Sequence, residues 1–258
     1  MRLTRVHVDA ELTPGAIVEL PRETASHLAK VLRARSGDSI ILFRGDGREY
    51  LGSVESVRGS RVTASVGNGA DVDRESPFAI TLVQCVPRGD RMDFIVQKAT
   101  ELGVTRIVPV LSQRSVVRLD AAQAESKAAH WRAVVVNACE QCGRNRLPII
   151  EAPAPLIDHL GSDAYLGSVA AAGGGPRIAR FVLEPEVDAA AAPRAPETAA
   201  QIAVGPEGGF DDEELEAFRI AGFMRLRLGP RILRTETAAI AALTWLQTRF
   251  GDMHAVHA

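Results

Sequence analysis

Two kinds of hydrophobic pattern occupy the chain, and the change between them falls near residue 72. Before it, Ser39 to Phe43, Tyr50 to Val57 and Arg61 to Val66 are rich in β-branched residues and are separated by the turn signals Gly45-Asp46-Gly47 and Arg58-Gly59-Ser60, which predicts short strands. Ahead of them, Ala25, Leu28, Val31 and Leu32 recur at the spacing of one helix face, with Lys30, Arg33 and Arg35 near its end. The combination predicts a small β-barrel with a basic edge. The same basic cluster would equally complement the dipole at a helix C-terminus.

The polar stretch Asp71 to Pro77 separates this part from one in which strands and helices alternate. Ala79 to Val86 reads as a strand and Asp90 to Leu102 as a helix with Met92, Ile95, Val96, Ala99 and Leu102 on one face. Gly103 stands at the C-cap position, and Arg106 to Leu111 is the next strand. That order is a βαβ unit, the building block of parallel sheets. A long helix follows from about Ala121 to Gln141. The Ala/Gly/Pro-rich stretches Ala170 to Pro176 and Ala189 to Ala200 read as loops flanking a strand from Ile178 to Leu183. The expected organisation is α/β, with a barrel domain over residues 1–72 and a larger domain over 73–258.

Two segments combine a strand, a Gly-Pro turn and a helix. In Ile202 to Phe210, followed by Asp211-Asp-Glu-Glu214, Asp211 can cap the next helix with Glu214 three positions on. Gly208 and Gly209 let the backbone pass close to a ligand, and Pro206 stiffens the turn. One helix later, a strand from Met224 to Leu228 runs into Gly229-Pro230-Arg231 and a helix with Ile240, Leu243, Leu246 and Phe250 inward. Turns at the carboxyl ends of strands are the usual ligand position in an open α/β sheet, and two of them can wall one cleft. A glycine pair entering a helix is just as often only a tight turn. No Gly-x-x-x-x-Gly-Lys-Ser/Thr loop is present, and no Gly-x-Gly-x-x-Gly follows the first strand of the βαβ unit, which disfavours a triphosphate or dinucleotide ligand.

Composition narrows the class. With 46% hydrophobic and 24% charged residues the chain can build one large core or two smaller ones. It has no apolar run of membrane-spanning length and no apolar stretch at its start, which implies no membrane partner and a cytoplasmic location. Cys85, Cys139 and Cys142 are too few for a disulfide framework. Cys139 and Cys142 lie at the end of a predicted helix, where the dipole opposes a thiolate; with no second Cys/His pair, this favours a structural role over redox or metal chemistry. No metal is expected. The net charge of −2 means that any nucleic-acid contact must be local. Lys30, Lys98 and Lys127 are the only lysines among 30 basic residues. The remaining arginines suit phosphates and bases, although a GC-rich genome would encode the same bias.

The strings Gly205-Pro-Glu-Gly-Gly-Phe210 and Leu228-Gly-Pro-Arg-Ile-Leu-Arg-Thr-Glu-Thr237, with Arg88-Gly-Asp-Arg-Met-Asp93, Gln97-Lys-Ala-Thr-Glu-Leu-Gly103, Gln113-Arg-Ser115 and Ala138-Cys-Glu-Gln-Cys-Gly-Arg-Asn-Arg146, resemble the bacterial 16S rRNA uracil-N3 methyltransferases over nearly the whole chain. The resemblance implies a SPOUT-class C-terminal domain, an α/β fold tied in a trefoil knot, and a PUA-like N-terminal barrel that helps hold RNA. It implies S-adenosyl-L-methionine as cofactor, 16S rRNA in the 30S subunit as partner, and a homodimer, since sites of this class are usually completed by a second subunit. The cofactor would be held by Leu183, by Gly205, Pro206, Glu207, Gly208 and Gly209, and by Leu228, Gly229, Ile232, Leu233 and Thr235. Gln113 stands where many relatives have glutamate, and Ala189 to Ala200 has no recognised counterpart.

Arg114, Arg144 and Arg234 are the candidate catalytic arginines, because each lies within one of these strings and uracil N3 must lose its proton as it is methylated. Guanidinium groups near O2 and O4 would stabilise the resulting anion. Glu140, Glu207 or Glu236 could accept the proton, with helix capping or arginine pairing as the alternative for each. A non-catalytic RNA-binding or ribosome-assembly protein is the rival reading, and a SPOUT methyltransferase acting on another RNA target is a third.

Overall fold

The computed structural model describes residues 3–161, 178–187 and 198–254. Ala170 to Pro176 and most of Ala189 to Ala200 lie outside these, and the last two residues of the latter stretch already belong to a strand. The chain divides into two compact units, Met1–Glu75 with Val136–Leu147, and Ser76–Val135 with Pro148–Ala258.

In the first unit a five-stranded sheet runs β1-β3-β4-β5-β2, formed by Thr4–His7 (β1), Ile17–Glu19 (β2), Ser39–Phe43 (β3), Arg48–Arg58 (β4) and Arg61–Asp71 (β5). β1 pairs with β3 in parallel and the other pairings are antiparallel. β1 and β2 are too short for an alternating pattern to show in the sequence. β5 extends past the expected end at Val66 because Gly67 and Gly69, which read as turn residues, serve close strand approach. The register shifts between Tyr50 and Gly52, and a Cβ at Gly67 would stand 2.2 Å from the carbonyl oxygen of Leu51.

Helix α1 (Arg22–Lys30) buries Ala25 and Leu28 against Val6, Ile40, Leu42 and Val62. Val31 and Leu32, expected on the same face, are 64% and 48% exposed. They lie past the last helical turn, where the chain swings through a left-handed conformation at Arg33 (φ 52°).

A buried polar network holds residues 143–146 within this unit. Arg5 donates to Glu49 Oε2 at 2.6 Å, to the carbonyl of Arg144 at 3.2 Å and to Asn145 Oδ1. Arg74 donates to Glu49 Oε2 at 3.0 Å and to the carbonyl of Gly143 at 2.9 Å, while Arg144 forms an ion pair with Glu75. The last turns of α3 (Ala121–Cys142) therefore belong to the first unit although their sequence lies beyond the expected boundary.

The second unit is built on a parallel sheet of order β12-β10-β11-β6-β7-β8, with β9 also pairing to β7. Its strands are Ala79–Cys85 (β6), Arg106–Leu111 (β7), Ile149–Ile150 (β8), Ala154–Pro155 (β9), Ile178–Leu183 (β10), Ala199–Val204 (β11) and Met224–Leu226 (β12). Its helices, besides most of α3, are α2 (Arg91–Glu101), α4 (Leu156–Leu160), α5 (Asp212–Ile220) and α6 (Thr235–Phe250). α2 buries Met92, Ile95, Val96 and Ala99, and Gly103 (φ 79°) ends that turn. On α6 the buried face carries Ala239, Ala242, Leu243 and Leu246, while Ile240 and Phe250, expected inward, are half-buried. α5 packs Phe218 between Phe210 and Phe223.

Glu49 generates a prediction about acid. Burial alone would raise its pKa, but hydrogen bonds from Arg74, Arg5 and Asn145 together hold it below the ordinary carboxylate value of 4.5. A depressed carboxylate stabilises the fold above its unfolded-state pKa and stops doing so as the pH falls through the folded value. Glu49→Gln should cost about 1–3 kcal/mol at pH 7 and weaken the acid sensitivity of β3 and β4. Amide hydrogen exchange of those strands near neutrality and at acid pH measures both effects.

Candidate functional site

All strands of the second sheet run the same way, so the segments leaving β10, β11 and β12 emerge at one edge. There they enclose a cavity of about 280 Å³. Leu183, Gly205, Pro206, Glu207, Gly209, Leu228, Gly229, Ile232, Leu233 and Thr235, ten of the eleven residues expected to hold a cofactor, line it. Its walls are apolar where Leu183, Val204, Leu228, Leu233 and Ala238 lie, and the rest includes the Gly-Pro turns, Glu184, Glu207 and the arginines Arg227, Arg231 and Arg234. Arg231, inside the second Gly-Pro string, also lines it, and Glu184, Pro185 and Arg227 line it although they went unrecognised in the sequence. Their only signal was adjacency to the motif residues.

The two Gly-Pro loops are joined by Thr235. Its hydroxyl donates to the carbonyl of Gly205 at 2.8 Å and accepts from Gln84 Nε2 at 2.9 Å, so the start of α6, the loop after β11 and strand β6 share one buried point. The expected capping box is present on α5: Asp211 Oδ1 accepts from the N–H of Glu214 at 2.8 Å, and Glu214 Oε2 accepts from the N–H of Asp211 at 3.0 Å. Glu214 Oε1 also accepts from the backbone N–H of Gln113 at 2.8 Å. Gln113 thus enters this network through its main chain, where a glutamine serves as well as a glutamate.

Gly208 differs from expectation. It does not line the cavity, and a Cβ there would meet the Arg114 stem at 3.4 Å, an ordinary contact distance. The left-handed residue of the turn is Gly209, at φ 68°. Arg114 donates to the carbonyl of Gly208 at 3.0 Å and so braces the outside of the loop. Arg88 and Arg91, from a string whose role the sequence left open, grip Glu207. Arg91 Nη1 donates to its carboxylate and the Arg88 N–H approaches it at 3.4 Å, while Arg91 Nε lies 3.9 Å from Glu236.

Of the candidate catalytic residues, Arg234 lines the cavity; it is exposed, its carbonyl accepts from the N–H of Ala238 at 2.7 Å, and its guanidinium makes no hydrogen bond or ion pair with another described residue. Arg144 and Glu140 belong to the first unit. The Arg144 guanidinium is buried against Glu75, and Glu140 accepts from the N–H of His7 at 3.0 Å. Burial raises the Glu140 pKa despite that bond. At the end of α3, a hydrogen bond with Cys142 and then burial push the Cys139 thiol far above its usual range, and Cys139 Sγ contacts the carbonyl of Arg146 at 3.7 Å. A reactive thiolate is disfavoured there.

Residues 74–247 match the model of an RNA methyltransferase domain, and residues 20–67 that of an RNA methyltransferase PUA domain. The chain is similar to ribosomal RNA small subunit methyltransferase E of Bacillus subtilis, 32% identical with 91% of this chain and 93% of the relative covered. A methyltransferase of Legionella pneumophila solved with bound S-adenosylmethionine superposes with a TM-score of 0.88 at 36% identity, covering 98% of this chain and 100% of that one. The ribosomal RNA small subunit methyltransferase E of Neisseria gonorrhoeae, also solved with S-adenosylmethionine, superposes at 0.84 with 35% identity and the same coverage.

The geometry separates neighbouring substitutions. Gly209→Ala should lower stability by about 1–2 kcal/mol, since a Cβ is strained in the left-handed region, whereas Gly208→Ala should change it by less than about 0.5 kcal/mol, the usual range for a substitution away from such constraints. Thr235→Val, which leaves the Gly205 carbonyl and the Gln84 amide each without this partner, should cost about 1–3 kcal/mol. Thermal denaturation of the three variants beside the parent protein measures the differences.

Proposed function

The chain belongs to the RNA methyltransferase family, and from that premise we propose that it transfers the methyl group of S-adenosylmethionine to N3 of a uridine in 16S rRNA, acting on the assembled 30S subunit. The observation that carries this reading is the cavity at the carboxyl ends of β10, β11 and β12, walled by two Gly-Pro loops. Its lining suits the cofactor: apolar side chains for a purine, glycine turns that leave room for a nucleoside, and Arg231 and Arg234, whose guanidinium groups have no ion-pair partner among the described residues, for a carboxylate. Bound there, the cofactor supplies an electrophilic methyl group.

The chain's own residues supply the rest. Arg234, which lines the cavity with a guanidinium that has no partner among the described residues, stabilises the negative charge that develops on the uracil oxygens as N3 is deprotonated. Glu207, held by Arg91 and Arg88, is the carboxylate at the cavity wall nearest in character to a proton acceptor, with Glu236 behind it on the same arginine. Arg114 positions the glycine loop through the Gly208 carbonyl. Arg144 and Glu140 serve the first unit, which in this reading is the PUA-like, RNA-holding domain of residues 1–72 with the end of α3 folded onto it. Residues 73–258 form the SPOUT domain with its trefoil knot. The active form is a cytoplasmic homodimer.

Charge says how the RNA is recognised. Residues 1–72 hold ten basic and nine acidic side chains and the remainder twenty and twenty-three, so neither part offers a large positive excess. Non-specific affinity for bare RNA is then weak, and recognition depends on a shaped substrate that meets several local patches. The target uridine must also be unpaired, because N3 lies on its Watson–Crick edge.

Unmethylated 30S particles should therefore accept tritiated methyl groups efficiently and protein-free 16S rRNA poorly, with 3-methyluridine as the product identified by nucleoside mass spectrometry. Equal rates on both substrates would overturn the 30S assignment, and a different modified nucleoside would overturn N3. Arg234→Ala should lower turnover by about 10²–10³-fold with cofactor affinity within a few fold. A collapse of cofactor binding with turnover intact at saturation would make Arg234 a binding residue instead.

A further inference from the structure

Glu140 lines a second cavity, of about 600 Å³, that lies entirely within the first unit. Small-ligand sites span about 300–1,000 Å³. Two helices wall it. On α3, Asn137, Glu140 and Gln141 stand three and four residues apart, the spacing that puts side chains on one helix face, and Thr24 and His27 on α1 are spaced likewise. The buried Leu28 adds apolar surface. Glu140 Oε1 accepts from the N–H of His7 at 3.0 Å. The carboxylate takes no other hydrogen bond from a described residue, and the side chain is half-buried and open to the cavity. The side chains of Thr24, His27, Asn137 and Gln141 make no hydrogen bond with another described residue either.

The chemistry of these groups narrows the ligand. Among the described residues Arg5 is the one arginine or lysine on the cavity, and its buried guanidinium already donates to Glu49, to the Arg144 carbonyl and to Asn145. Glu23 adds a second carboxylate, so a phosphate is disfavoured. A cation would use the carboxylates but leave the amide N–H groups of Asn137 and Gln141 without an acceptor. A neutral ring that carries both N–H donors and carbonyl or ring-nitrogen acceptors uses the whole set. Burial raises the Glu140 pKa in spite of the His7 N–H and the charge of Arg5, which marks a carboxylate short of donors. An N–H that reaches it gains a charge-assisted hydrogen bond. His27 is exposed and offers a flat ring of the kind on which bases stack. We propose that this cavity takes an unpaired base of the substrate RNA, with Glu140 accepting from an N–H of the base edge while Asn137 and Gln141 bond the neighbouring groups. The proposal rests on the 16S rRNA reading given above and gives the first unit a site that recognises a single nucleotide.

Methyl transfer to unmethylated 30S particles, with KM and kcat separated, tests it beside calorimetric titration with S-adenosylhomocysteine. Asn137→Ala and Gln141→Ala should each raise KM for 30S about three- to tenfold, the loss expected for one neutral hydrogen bond. Their kcat and their affinity for S-adenosylhomocysteine should stay at the parental values. Glu140→Ala, which removes a charged acceptor, should raise KM about tenfold or more, and Glu140→Gln, which keeps one carbonyl, should recover part of that loss. The two amide variants alter exposed side chains without partners among the described residues, so they carry the test if the Glu140 variants fail to fold. Parental KM in a folded Glu140→Ala protein, or in both amide variants, overturns the assignment. Photocrosslinking from Asn137→p-benzoylphenylalanine on 30S should map to an unpaired nucleotide of 16S rRNA. A crosslink to a ribosomal protein alone, or none, overturns the base as ligand. A parent protein that methylates no 30S particle overturns the function reading and this proposal with it, a result distinct from a change confined to the variants.

Discussion

The hydroxyl of Thr235 accepts from Gln84 and donates to the carbonyl of Gly205, so β6, the loop after β11 and the first turn of α6 meet at one buried hydrogen-bonded point. Remove it and two loops that approach from different strands lose their common reference. The rest of the cleft is arranged outward from there: Gly209 turns the first loop back on the carbonyl of Pro206, the Asp211–Glu214 box starts α5 without a frayed end, and Arg114 and Arg91 brace the loop from outside. A cavity walled by glycine and proline turns needs such rigidity, because main-chain groups cannot change rotamer to improve a poor fit.

Charge is used locally in both units. In the first, Arg5, Arg74, Arg144, Glu49, Glu75 and Asn145 spend their hydrogen bonds on one another and on the carbonyls of Val72, Gly143 and Arg144. These arginines hold the fold and are not available as a general attractant for RNA. In the second, the guanidinium groups of Arg231 and Arg234 line the cavity without an ion-pair partner among the described residues. With so little excess positive charge, the placement of a guanidinium group matters more than the number of arginines.

Much of this was legible in the residues alone. The βαβ pattern from Ala79 to Leu111, the capping residues Asp211 and Glu214, the glycine at the end of α2 and the two Gly-Pro turns are local signals, written within a few residues by backbone conformation and hydrophobic period. Such signals locate a cleft at strand ends because parallel strands leave their turns on one side. The departures were also local in origin: Val31 and Leu32 keep the helical period after the helix has stopped, and Gly67 reads as a turn where a close strand crossing needs the missing Cβ.

Partner choice is what sequence order hides. Nothing near Glu184 in the chain announces that Arg225 will balance its charge, and nothing near Arg91 that it will hold Glu207. Arg114 and Arg144 look alike in their motifs, yet one braces a glycine loop and the other is buried against Glu75 in a different unit. Local conformation is set by short-range sterics and periodicity, which the sequence by itself determines for this protein. Whether a charged side chain is spent on the fold or left for a ligand depends on which distant segment lies within about 3 Å of it, the reach of a hydrogen bond, and only the tertiary structure decides that.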